Sequence, residues 1–114
     1  MTMSISAERR KHSRVTVDWP VLILNHTGGS LGEVNNISVR GALICFQRPL
    51  RPKERYRLFI MVPDRRSLSL RAEVSWLDVS CSAKTIFPCS HGIRFTKVAR
   101  ADREVLESAI SSHV

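Results

Sequence analysis

Leu68-Ser69-Leu70-Arg71-Ala72-Glu73-Val74-Ser75-Trp76-Leu77 is the stretch on which the fold turns. Its apolar residues at 68, 70, 72, 74 and 76 fall on one side of an extended chain, and Ser69, Arg71, Glu73 and Ser75 fall on the other. A period of two marks a strand with one buried and one wet face, as antiparallel sheets have. The texture recurs on both sides. Tyr56 to Val62 reads as a strand closed by a turn at Pro63-Asp64-Arg65-Arg66. Before it, Ala42-Leu43-Ile44-Cys45-Phe46 is an apolar strand, ended by Pro49 and Pro52. Arg14 to Leu24 alternates, with a bend or edge position at Pro20. Asn25 to Ser30 is a turn cluster, and Leu31 to Ile37 returns as a short, partly polar strand. Downstream, residues 78–90 read as a loop with some strand character at Ile86-Phe87, and Gly92-Ile93-Arg94-Phe95 is a last short strand. Ala101 to Ile110 changes period. Acidic residues open it, and Val105, Leu106, Ala109 and Ile110 share one stripe, which predicts an amphipathic helix over the sheet.

Five or six short strands and a terminal helix in 114 residues predict an all-β class, a small antiparallel barrel with one C-terminal helix. Closing the sheet removes its exposed edges. The length allows one domain and one core. Residues 1–8 read as a flexible arm and 9–114 as the barrel domain, with its helix at about 100–112.

The chain carries 18 Lys+Arg against 10 Asp+Glu, a net charge of +8, which points to an anionic partner. Arginine dominates, and its planar fork suits phosphate and stacks on rings. No apolar run approaches the length of about 18 residues that a membrane span needs. The opening MTMSISAERRKHSR lacks the apolar core of a secretory signal. Three cysteines, Cys45, Cys81 and Cys89, imply no disulfide framework and fit a cytoplasmic location. Cys81, Cys89 and His91 lack zinc-ligand spacing and a fourth ligand, so no metal is expected. No nucleophile–base arrangement or phosphate-binding fingerprint is present, so no catalytic residues are assigned.

Two segments carry the functional signal. The first is Arg9-Arg10-Lys11-His12-Ser13-Arg14, where clustered guanidiniums call for a counter-charge such as a multi-phosphate ligand. Taken alone, a solvated terminal charge run is the plainer reading. The second is Asn36-x-Ser38-x-x-Gly41, with Arg40 inside it. Its short polar side chains bond a ligand edge or the local backbone, and its glycine permits a close approach or a positive φ. Taken alone, it is an ordinary turn.

Together, in this order and with 21 residues between them, RxxxR at 10–14 and NxSxxG at 36–41 resemble the two-part signature of the PilZ domain family. Arg9 extends the first half to RRxxxR, and Asn36 stands where the family takes Asp or Asn. Ala42-Leu43-Ile44, Glu73-Val74-Ser75-Trp76 and Gly92-Ile93-Arg94-Phe95 are similar to the family's strands. The resemblance covers about residues 8–100. It implies a six-stranded barrel with a C-terminal helix that binds cyclic di-GMP, a dianion with two guanines and two phosphodiesters.

Carried over, Arg10 and Arg14 contact guanine edges and phosphates, and Arg9 stacks on a guanine of an intercalated dinucleotide dimer. Asn36 and Ser38 read a guanine edge or phosphate, and Gly41 leaves room for the base. Arg40, Arg94 and Trp76 are further candidates. Trp76 is either core, by its alternation with Val74, or an aromatic laid against the ligand. The implied mechanism is a switch: the ligand orders the arm, and the changed surface signals to a partner protein. The ligand is held, not turned over, and no cofactor is implied. A related alternative is a PilZ adaptor that binds proteins without nucleotide. A single-stranded nucleic-acid barrel is disfavoured, because four Phe and one Tyr sit mostly in strands beside apolar neighbours, not in the open. Arg65-Arg66 and Arg55/Arg57 read as solvated surface or a partner-docking patch.

Overall fold

The computed structural model describes residues 14–51, 53–78 (backbone alone at 76–78) and 86–112. Six strands form a closed barrel: β1 (Val15–Asn25), β2 (Gly28–Ile37), β3 (Gly41–Phe46), β4 (Arg55–Ile60), β5 (Leu68–Asp78) and β6 (Cys89–Val98). A helix, α1 (Arg100–Ser111), follows. Around the barrel the order is β1-β2-β3-β6-β5-β4, and every neighbouring pair is antiparallel. The expected fold class is therefore the observed one.

Alternation builds the core. Leu68, Leu70, Ala72 and Val74 of β5 all point inward and are buried, joined by Val21 and Ile23 of β1, Val34 and Ile37 of β2, and Leu58 and Ile60 of β4. The helix packs on β5, burying Leu106, Ala109 and Ile110, with Val105 at the margin. Trp19 is also core, at 2% exposure.

Three boundaries differ from the reading of the sequence. The β1–β2 turn is only His26-Thr27, because Asn25 Oδ1 accepts from Thr27 N (2.9 Å) and Thr27 Oγ1 (2.7 Å) and Gly28 takes φ +138°. Strand β2 therefore starts at Gly28 rather than Leu31. Strand β6 runs well past residues 92–95 in both directions, because it gains two partners: β3 up to Cys89 and β5 down to Val98. Pro20 sits inside β1, which has neighbours on both sides, and the register irregularity lies earlier, between Thr16 and Trp19. The Pro20 carbonyl accepts Met61 N–H at 2.9 Å, just beyond the last β1–β4 pair, Val21↔Ile60. A strand residue's N–H and C=O point to the same side, so the missing donor falls at the end of that ladder, where it costs least.

Two buried polar groups fasten the structure. Asp102, 8% exposed, accepts Ser69 N–H at 3.3 Å and pairs with Arg66 at 3.0 Å. It ties the first turn of α1 to β5, a docking role beyond the helix-terminus charge expected of it. His91 is fully buried; its Nε2 accepts Leu50 N–H at 2.9 Å, and its ring meets Phe46 edge-on at 5.4 Å. Burial holds the imidazole pKa below its ordinary value, partly offset by the backbone of Ile44 and Cys89. Its Nδ1 lacks a well-formed hydrogen bond among the described residues. His91 thus serves the core, while Cys81 lies outside the described residues.

Candidate functional site

The segment 36–41 is the corner between β2 and β3. Asn36 and Ile37 end β2, Ser38-Val39-Arg40 turn, and Gly41 begins β3. Ser38 closes the corner. Its N–H donates to Gly41 O (2.8 Å), and its hydroxyl accepts Arg40 N–H (3.2 Å) and lies 3.4 Å from Gly41 O. Only 3% of Ser38 is exposed, so in this state its hydroxyl serves the turn. Gly41 is opposite Arg94 of β6, and the space a Cβ would take is filled by the Ile93 carbonyl. Positive φ is not the reason for this glycine; Gly28 has the one positive glycine φ among the described residues. Close approach of two strands is the reason.

Beside this corner lies an open cleft of about 510 Å³. Val39, Ile93, Phe95 and Val98 give it an apolar base. Arg14, Arg40, Arg94, Lys97 and Arg103 line it, and no carboxylate is among its lining residues. Arg14, the residue just before β1, donates from its Nη1 to Asn36 Oδ1 at 2.9 Å. This bond spends one of five guanidinium donors and one of two amide-oxygen lone pairs, leaving both groups able to bind further. The Arg40 carbonyl accepts Phe95 N–H at 2.8 Å, which pins the corner to β6. Arg94 is ion-paired with Glu73 across the β5–β6 ladder, so its charge is largely answered within the barrel. An open, wet site with several cations and few anions stabilises a multiply charged anion, and a planar ligand can rest on its apolar base.

The fold thus brings Arg14, Asn36, Ser38, Arg40, Gly41 and Arg94 to one end of the barrel. Arg9 and Arg10 lie outside the described residues, as does the Trp76 side chain; its backbone stands opposite Gly92. Lys97 and Arg103 are cleft residues that the sequence reading missed. Strict alternation from Arg94 would put Lys97 on the Phe95 side; it reaches the outer face because the β5–β6 register shifts between Arg71 and Ala72, so that Lys97 meets Arg71 while Phe95 meets Ala72. Arg103 arrives only through the docking of α1, which has no sequence signature.

A family model of the PilZ domain matches residues 8–112. The chain belongs to the PilZ domain family. Among solved structures, the PilZ domain of YcgR from Escherichia coli, in complex with c-di-GMP, is 15% identical, with a TM-score of 0.75 over 92% of this chain and 91% of that one. The inhibitor of motility MotI/DgrA from Bacillus subtilis is 20% identical, with a TM-score of 0.75, covering 91% of this chain and 51% of its own. MrkH from K. pneumonia, in a c-di-GMP complex, is 15% identical, with a TM-score of 0.77 over 91% of this chain and 51% of that one. This PilZ chain therefore spans about half the length of the last two. At these identities the likeness is one of fold. No curated relative matches the chain by sequence. Among the described residues no helix is long and apolar enough to cross a membrane.

Proposed function

We propose that this PilZ domain is a cyclic di-GMP receptor that binds the dinucleotide in the cleft beside the β2–β3 corner. The observation that carries the proposal is the 2.9 Å bond from Arg14 to Asn36, which joins the RxxxR and NxSxxG segments at the rim of a cation-lined cleft. Arg14 grips a phosphate with its remaining donors, and Arg40, Lys97 and Arg103 supply further positive charge. Ser38 and Gly41 act through the backbone: they fix the corner that holds Asn36 and Arg40 in place. Arg9 and Arg10 close over the ligand from the N-terminal side, with Arg9 stacked on a guanine, which makes two nucleotides per protomer the expected stoichiometry. Ordering of this segment by the ligand is the output read by a downstream protein.

Calorimetric titration with cyclic di-GMP tests the proposal. Arg14→Ala removes a charge-assisted contact of about 1.5–3 kcal/mol, so the affinity should fall roughly 10- to 100-fold. Unchanged binding in that variant would overturn the assignment of the cleft. Absence of binding in the parent protein would favour the adaptor reading.

A further inference from the structure

The barrel wall away from the β2–β3 corner carries a second cationic feature. Leu24, Arg57, Arg71 and Lys97 are successive register partners across β1, β4, β5 and β6: Leu24↔Arg57, Arg57↔Arg71 and Arg71↔Lys97. Directly opposed residues share a face, so three cations stand in a row across the outer wall, all exposed. Like charges directly opposite are destabilising in a sheet. The row has no internal remedy, since none of the three makes an ion pair among the described residues. Arg55 extends it along β4, and the four cations border one groove of about 530 Å³ with Leu24 and Tyr56. This groove is separate from the Arg14–Asn36 rim; Thr96 and Lys97 line both, while Arg55, Arg57 and Arg71 line the groove and not the cleft.

We infer that this row is a docking surface for an acidic segment of a partner protein. Charge complementarity and size select that occupant. Neighbouring strands are about 4.8 Å apart, so the row from Arg57 to Lys97 is about 10 Å long, enough for two or three carboxylates of an extended chain. Nucleic-acid binding of useful strength commonly neutralises about 6–10 phosphates, more than this row offers. The groove also lacks an exposed aromatic for base stacking: its one ring, Tyr56, is 7% exposed. A second copy of the chain brings the same +8 excess and is repelled. Leu24, half-buried at the end of the row, gives the segment an apolar contact beside the charges.

The test uses the full chain and a fluorescein-labelled deca-glutamate peptide, read by anisotropy. Arg57→Ser/Arg71→Ser should weaken peptide binding by about tenfold or more. Arg48→Ser/Arg65→Ser lowers net charge by the same amount away from the groove and should leave binding within about twofold. The first variant relieves the Arg57–Arg71 repulsion, so its melting temperature should not fall. Its cyclic di-GMP affinity should match the parent's, which separates this row from the cleft. Equal losses in the two double variants would reduce the effect to net charge and overturn the proposal. So would tighter, Arg57- and Arg71-dependent binding of a deca-thymidine strand or of vesicles containing phosphatidylglycerol.

Discussion

Gly41→Ala separates two reasons for a glycine in the motif. The added Cβ would run into the Ile93 carbonyl oxygen. That oxygen belongs to the backbone of β6, held to β3 through Gly41↔Arg94 and Ala42↔Ile93, so it cannot swing aside as the tip of a side chain would. Adding a methyl to a close-packed site costs about 1–3 kcal/mol, and a rigid backbone neighbour places this case near the top. Alanine recovers roughly 0.5–1 kcal/mol, because glycine loses more chain entropy on entering a strand. The net expectation is a loss of about 2 kcal/mol. For a domain of this size that lowers the melting temperature by roughly 6–12 °C. Thermal unfolding followed by circular dichroism measures it, with a urea titration to confirm the free energy. A melting temperature within about 2 °C of the parent would refute the packing argument. If such a variant also lost cyclic di-GMP binding, the glycine would belong to the ligand rather than to the β3–β6 contact.

Substitutions at two positions address the buried polar groups. Because the folded-state pKa of His91 is lowered, the unfolded chain binds the proton more readily; the histidine's contribution is fully present above about pH 6.5 and is lost as pH falls below it. Unfolding free energies from urea titrations between about pH 7.5 and 5.5 should drop with a limiting slope of about 1.4 kcal/mol per pH unit, and His91→Gln should remove that component; an unchanged slope in the variant would contradict it. Asp102→Ala should cost about 1–2 kcal/mol by leaving Ser69 N–H without its acceptor, whereas Asp102→Asn, which keeps an acceptor, should lose less. Equal losses in the two variants would shift the weight to the Arg66 ion pair, whose arginine is half exposed and from which little is expected.

The comparison of sequence with structure is uneven in an instructive way. The alternation at 68–77 and the stripe at 105–110 identified β5 and α1 because periodicity is a local property. The β6 boundaries were not legible. Cys89 and His91 are buried on one side of a strand that also carries exposed Arg94 and Lys97, and only pairing with both β3 and β5 explains that mixture. Pro20 suggested a bend or an edge, and the barrel places its missing donor at the end of a ladder.

The site divides the same way. Which residues carry the motifs, Arg14 and Asn36 among them, is written in the chain, as is an excess of positive charge that needs an anion. What those residues do to one another is tertiary. The Arg14–Asn36 bond spans 22 positions, Gly41 answers to a strand more than 50 residues away, and Glu73 answers the charge of Arg94. Register across β4, β5 and β6 likewise lines up Arg57, Arg71 and Lys97, which the sequence scatters over 40 residues. Local pattern determines which face of each strand is wet, because side chains alternate whatever the neighbours are. Which wet faces stand together depends on strand order and register, and those are set when the whole barrel closes on its core.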